Sequence, residues 1–202
     1  LDKARNIARL VINGWTIDFA QIEGNSLEED LWRRDFRVNA IALTIEEIPQ
    51  IIDPTGGLKD LQEKKLVAVQ EKNLVEDPLR GLRAIRLIAE LNFTLDIQTK
   101  QWIETHNHML RNVAPERIHL EIQQLINAPS ADTALLCLQQ LGLLKSWQTN
   151  STKLQRSLPS KKQTNLLTLA EKSNALPLAR LAQLLSDKGM KQLCFSRSER
   201  HR

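Results

Sequence analysis

Asp77 and Arg80 stand three residues apart in the stretch EDPLRGLRAIR, which runs from Glu76 to Arg86. On a helix, residues at this spacing are surface neighbours, and a local ion pair at a helix start would account for both. The same two side chains could also read a base. A carboxylate only accepts hydrogen bonds and a guanidinium only donates them. Cytosine and adenine both offer an exocyclic amino donor beside a ring acceptor, whereas uracil and guanine reverse that order. A wrong base then sets acceptor against acceptor, at a cost on the order of a few kcal/mol. Arg83 and Arg86 continue the row at the same spacing, and a solvated face is the ordinary fate of such arginines.

Two other stretches bear polar residues at telling intervals. In RRDFRVNA, from Arg33 to Ala40, Asp35 and Asn39 lie four apart and would share a helical face. A helix-surface hydrogen bond, or an Arg33 or Arg34 partner for Asp35, would explain them equally well. In DPTGGLKDL, from Asp53 to Leu61, the residues Asp53, Gly56, Gly57 and Asp60 read as a hinge. Glycines permit strained turns, and aspartates bond turn amides. His106 and His108 would point well apart on a helix, so no metal site is expected there. Cys137 and Cys194 are the only cysteines and have no CxxC partner, which argues against zinc and against a disulfide framework.

The elements that position these groups follow from local pattern. Asn13-Gly14 between apolar runs predicts a hairpin over Arg9 to Gln21, because both turn residues need positive φ. Within its second strand Asp18 falls on the face away from Trp15, Ile17 and Phe19. Asp2 to Ala8 reads as a short helix with Asp2 as N-cap. Ser26 and Glu29 form a capping box, which predicts a helix to about Leu43. A short strand is expected over Ile48 to Asp53, and a further short pairing element over Asp60 to Val69. From Asp77, with Pro78 at the first helical position, a helix should run to about Leu91. Its row of Leu79, Leu82, Ile85 and Ile88 faces a core by its spacing. More helices are predicted at Thr99–Arg111, Pro115–Ile126, Ala131–Leu141, Lys161–Glu171 and Pro177–Leu185. Gln148 to Thr164 is the linker candidate. The class is α+β: a mixed first sixty or so residues, then helices.

With 202 residues, 42% of them hydrophobic, the chain can bury a real core. It has no apolar run long enough for a membrane helix, and its first ten residues lack a signal-peptide core. The formal net charge of +4 mildly favours a polyanionic partner. A cytosolic setting fits the cysteine usage.

Taken in order, the three stretches resemble motifs B, C and D of the class II tRNA nucleotidyltransferases, the CCA-adding and poly(A) polymerase family. Those motifs read RRDF-x-x-N-A, D-P-x-x-G-x-x-D-L and E-D-x-x-R. APERIHLE, from Ala114 to Glu121, is similar to the family's motif E, with alanine where that pattern usually has serine. The resemblance covers roughly Arg9 to Pro129. It implies the remnant of a polymerase-β-like head over 1–61, a helical neck over 62–128 and the start of a helical body over 129–202. It implies that Asp77 and Arg80 template the base, that Arg83 and Arg86 face the triphosphate, and that Asp35 and Asn39 lie near the ribose and phosphates. Asp53, Gly56, Gly57 and Asp60 would join head to neck, with Glu116 and Arg117 in a hinge or structural role.

The reaction so implied is tRNA 3′-end maturation by template-independent addition of C and A from CTP and ATP, with Mg²⁺. Partners would be tRNA and nucleoside triphosphates, with no membrane; the oligomeric state stays open. Lys161, Lys162, Arg197 and Arg200 would help hold the tRNA backbone. The family's metal-binding D-x-D pair and the glycine-rich segment before it are not in the sequence, and only Asp18 matches a third acidic position. The missing pair is expected just before Leu1, and these residues alone are expected to bind rather than catalyse. Ile22 to Leu27 is a short connection, which within the family goes with members that add only two cytidines. A poly(A)-adding enzyme, or a non-catalytic nucleotide- or RNA-binding module, are the alternatives.

Overall fold

The structure, a computed structural model, describes residues 7–148 and 168–200. Strands β1 (Ile7–Ile12) and β2 (Trp15–Ala20) pair antiparallel, with Arg9 directly opposite Asp18. Asn13 and Gly14 turn the chain with φ of +50° and +82°, so the expected hairpin forms. Ile7 and Ala8 belong to β1 rather than to a helix, and Asp2 lies outside the described residues. From Leu10 to Phe19 the hairpin keeps its large side chains in solvent on both faces, Trp15 being 76% exposed.

Ser26 caps α1 (Leu27–Trp32), its Oγ accepting the Glu29 N–H at 3.1 Å. The helix stops there instead of running to Leu43. Phe36 is extended, fully buried, and bridged to Ala68. The Arg37 N–H bonds the Val67 carbonyl at 2.9 Å, and the Val69 N–H bonds the Asp35 carbonyl at 3.1 Å. Burying the Phe36 ring and pairing its backbone across the chain outweigh local helical preference. A single 3₁₀ turn at Arg37–Asn39 follows, and then β3 (Ala42–Leu43) pairs antiparallel with β4 (Ile51–Ile52).

The expected pairing element over Asp60 to Val69 splits into α2 (Gly57–Gln62) and β5 (Lys65–Leu66). β5 pairs parallel with β6 (Thr94–Leu95), so residues beyond the sixties are not purely helical. Between them lie α3 (Glu71–Glu76), which local pattern did not reveal, and α4 (Leu79–Leu91). Then come α5 (Ile97–His106), a 3₁₀ stretch at Asn107–Asn112, α6 (Pro115–Asn127) and α7 (Ala131–Leu141). After a 3₁₀ turn at Lys145–Trp147 come α8 (Leu169–Leu184), α9 (Asp187–Gln192) and α10 (Arg197–Arg200). Pro177, expected to open a helix, instead sits inside α8. Lys161, Lys162 and most of both the expected linker and the Lys161–Glu171 helix lie outside the described residues.

α4 is the spine. Leu79, Leu82, Ile85 and Ile88 are all buried, as their row predicts, and the helix packs against α6 and α7. One continuous apolar cluster runs from Phe36 through α4, α6 and α7 to Phe195. Arg180 of α8, only 8% exposed, donates at 2.7 Å to both Asp132 and the Ile126 carbonyl, tying α8 to that cluster. Among the described residues, no helix is long and apolar enough to cross a membrane.

Candidate functional site

The N-terminus of α4 opens into a cavity of about 470 Å³. Its walls come from the end of β2, from α1, from the segment after α1 and from the first turn of α6. A cavity of that size suits a small ligand with a few well-placed polar groups. It gathers Asp35, Asn39, Asp77, Arg80 and Arg83, five of the six residues for which a nucleotide-facing role was expected. Five arginines and four carboxylates line it: Arg33, Arg34, Arg80, Arg83 and Arg117 against Glu23, Asp30, Asp35 and Asp77. The balance is one positive charge, which favours an anionic ligand without excluding polar recognition.

Asp77 and Arg80 do not pair with each other, so the local ion pair that could have explained them does not form. Asp77 is the C-terminal cap of α3, two residues ahead of the start of α4. Its Oδ2 accepts from Arg117 Nη2 at 2.8 Å, and its Oδ1 faces the Leu79 N–H at 3.3 Å. Arg80 reaches the other way, and its Nη1 donates to the Arg33 carbonyl at 3.0 Å. The acceptor and the donor are therefore held by different elements. A carboxylate has roughly four lone-pair positions and a guanidinium five N–H bonds, so each retains capacity for a ligand.

Asp35 holds the head segment to α4. Only 8% exposed, it accepts at Oδ1 from the Phe36 N–H at 2.8 Å and from Asn39 Nδ2 at 3.1 Å. Its Oδ2 meets Arg83 Nε at 3.0 Å. Asp35 and Asn39 thus meet through a turn, not along the helical face expected for them. Arg34 pairs with Asp30 at 2.6 Å, and Arg33 pairs with Glu23. Burial works against the Asp30 charge, yet the Arg34 bond and the Glu23 N–H hold its carboxyl below the usual range.

Arg86 stands apart from these residues. It does not line the cavity; its Nε bonds Glu121 at 2.6 Å and its Nη1 bonds Glu90 at 2.7 Å. Arg83 and Arg86 share a row on α4, but Arg86 meets α6, where Glu121 holds its guanidinium. Arg117, expected in a hinge or structural role, does line the cavity. Glu116 does not; its carboxylate lies 3.6 Å from the Cys194 thiol. Asp18 is also outside the cavity, bidentate to Arg9 at 2.6 and 2.8 Å, and that bond lowers its pKa. Among the described residues, no three His, Cys, Asp or Glu side chains cluster as a metal would need.

The DPTGGLKDL stretch forms a tight corner. Asp53 caps α2, accepting the Gly57 N–H at 2.7 Å and the Leu58 N–H at 2.9 Å. Gly56 has φ of +83°, and a Cβ on Gly57 would run into the Arg37 carbonyl. Glycine is therefore required where α2 crosses the 3₁₀ turn that follows Phe36. Asp60 is buried with Oδ2 unpartnered, 4.0 Å from Arg37, and burial raises its pKa above the ordinary 3.8. A raised carboxyl pKa means a stability contribution present at low pH and lost as pH rises through the raised value. Asp60→Asn should therefore raise the urea midpoint at about pH 7, by roughly 1 kcal/mol of stability, and should lose that gain at about pH 3. Equal effects at both pH values would show that Asp60 ionisation is irrelevant to stability.

Two residues the sequence reading did not single out shape the site. Glu23 is a cavity residue, and its N–H bonds Asp30 at 3.2 Å. Asn73 is fully buried, and its Nδ2 donates to the carbonyls of Trp32 at 2.9 Å and Arg34 at 2.8 Å. An asparagine between Lys72 and Leu74 carries no periodic signal, so nothing in the local sequence marks it.

Residues 5–67 match the family described as "Poly A polymerase head domain", and residues 92–148 match "Probable RNA and SrmB- binding site of polymerase A". A CC-adding tRNA nucleotidyltransferase of Synechocystis sp. is 47% identical over 147 residues, which make up 73% of this chain and 35% of that protein. An A-adding tRNA nucleotidyltransferase of Deinococcus radiodurans is 41% identical over 149 residues, 71% of this chain and 34% of that protein. A solved structure described as "Structure of tRNA-processing enzyme with CTP" has a TM-score of 0.81 and 26% identity, covering 98% of this chain and 60% of that one. The chain spans about a third of the length of the two curated relatives.

Proposed function

The chain belongs to the tRNA nucleotidyltransferase and poly(A) polymerase family, and on that premise we propose that it provides nucleotide selection in tRNA 3′-end maturation by template-independent addition of C and A. The observation that carries this reading is the separate anchoring of Asp77 and Arg80 at one cavity wall, acceptor beside donor, with neither consumed by the other. CTP and ATP would be admitted on their amino edges, with Arg83 and Arg33 toward the phosphates. tRNA would be the partner, in the cytoplasm where it matures. Mg²⁺ supplies the charge neutralisation that phosphoryl transfer needs. The described residues do not make a site for it, since Asp18 is neutralised by Arg9 and no carboxylate cluster accompanies it. Selection is therefore the step these residues support.

Within this reading, the connection between β2 and α1 favours a CC-adding enzyme. Besides the Glu23 bond to Asp30, the Asn25 N–H bonds Glu29 Oε2 at 2.8 Å, and the Glu23 carboxylate pairs with Arg33. A short loop stapled at three points has little freedom to re-aim the pocket from one base to another. The Synechocystis relative is a CC-adding enzyme. The gene's complete product, given CTP, ATP, Mg²⁺ and a tRNA transcript ending before its 3′ CCA, should extend it by two cytidines. Extension by CCA would refute the CC-only reading, a poly(A) tail would favour the alternative enzyme, and no extension would refute the assignment.

A further inference from the structure

We propose that Asn73 is a positioning residue for the base-reading pair, an inference that rests on the reading of Asp77 and Arg80 above. Three successive carbonyls, those of Trp32, Arg33 and Arg34, point into the neck. Asn73 Nδ2 takes the first and third, and Arg80 takes the middle one. With its two neighbours fixed, the Arg33 carbonyl is a stationary anchor, and the guanidinium bonded to it faces the cavity at a set angle. Asn73 touches the other half of the pair as well. Its backbone carbonyl accepts the Asp77 N–H at 3.3 Å, where α3 ends. The Asn73 side chain thus fixes the donor's anchor, and its main chain lies one helical turn before the acceptor.

The energetics point the same way. Asn73 is fully buried, and its Oδ1 has no hydrogen-bond partner. An orphaned buried acceptor costs about 1–3 kcal/mol. A leucine would fill the volume without that cost, but it would leave two carbonyls unbonded and the 32–34 backbone free to rotate. Aspartate would set acceptors against both carbonyls. Only a side-chain amide gives two N–H donors from one nitrogen at this short reach. The residue suits the placement of the Arg33 carbonyl better than it suits the core.

The test compares CTP and UTP dissociation constants of the 202-residue chain by titration calorimetry in three forms. These are the wild type, Asn73→Ala, and Ile118→Val, a fully buried change in α6 that lowers stability and removes no hydrogen-bonding group. Asn73→Ala should weaken CTP binding about tenfold, the equivalent of one anchored hydrogen bond, and flatten the CTP-to-UTP ratio. Ile118→Val should leave that ratio unchanged. Asn73→Ser, which keeps one donor, should fall between and serves if the alanine variant does not fold. A ratio that survives both Asn73 changes, or that Ile118→Val flattens equally, overturns the proposal while the reading of the site stands. A wild-type chain with no preference for CTP overturns both.

Discussion

Asp77→Ala should erase the preference for CTP and ATP over UTP and GTP while leaving triphosphate binding in place. Removing the carboxylate deletes the acceptor that meets an exocyclic amino group, so cytosine and adenine lose a charge-assisted bond. Uracil and guanine are relieved of an acceptor facing an acceptor. Both changes push the same way, and the ratio of affinities should fall by about 10- to 100-fold. Phosphate attraction should persist, because Arg117 loses its partner and adds a free cation to the cavity. Folding should be little affected, since the Asp77 side chain is 31% exposed and its partner Arg117 is 49% exposed. Asparagine is the sharper probe: its amide can present either a donor or an acceptor, so Asp77→Asn should admit UTP without excluding CTP. Competition binding with all four triphosphates distinguishes these cases. Unchanged ratios in both variants would falsify the template assignment.

Arg86→Ala should do the reverse, costing stability and sparing selectivity. The Arg86, Glu121 and Glu90 side chains are 12%, 13% and 33% exposed, and the guanidinium bonds both carboxylates. Without it, Glu121 is a half-buried charge left near another carboxylate of the same sign. Loss of one member of such a half-buried group costs about 1–2 kcal/mol, above the median for a surface pair. Guanidinium denaturation should register that loss, and calorimetric CTP-to-UTP ratios at low temperature should not move. Replacing Arg86 by methionine and Glu121 by leucine together should recover most of the stability, because the half-buried unpaired charge is then gone. A selectivity loss with Arg86→Ala at unchanged stability would return Arg86 to the ligand.

These two arginines show where local sequence is informative and where it is silent. Periodicity identified α4, its buried row and the arginine row beside it, because those patterns are written in consecutive residues. It could not tell Arg83 from Arg86. That distinction depends on Asp35 lying opposite one and Glu121 opposite the other, both decided by tertiary packing. The Asn13-Gly14 hairpin was legible for the same local reason. The RRDFRVNA segment misled because its partners, Val67 to Val69, lie about thirty residues on and reverse its helical preference through Phe36. The parallel pairing of β5 with β6 has the same non-local cause. Motif order led to five of the six expected nucleotide-facing residues at the cavity, while Asn73, Glu23 and the placing of Arg117 depended on contacts across the chain.

The β1–β2 hairpin has its own consequence, in the time domain. In these 202 residues its large side chains from Leu10 to Phe19 sit in solvent on both faces, and none of them joins the cluster that runs from Phe36 to Phe195. A two-stranded ribbon without a buried face is marginally stable at best. The chain therefore has two clocks of amide exchange. The hairpin opens by fraying and trades its protons on its own schedule, while α4, α6 and α7 release theirs only when the whole cluster comes apart. Because β2 ends at the rim of the cavity, the hairpin supplies the faster-moving wall of a pocket whose selecting residues belong to the slower one.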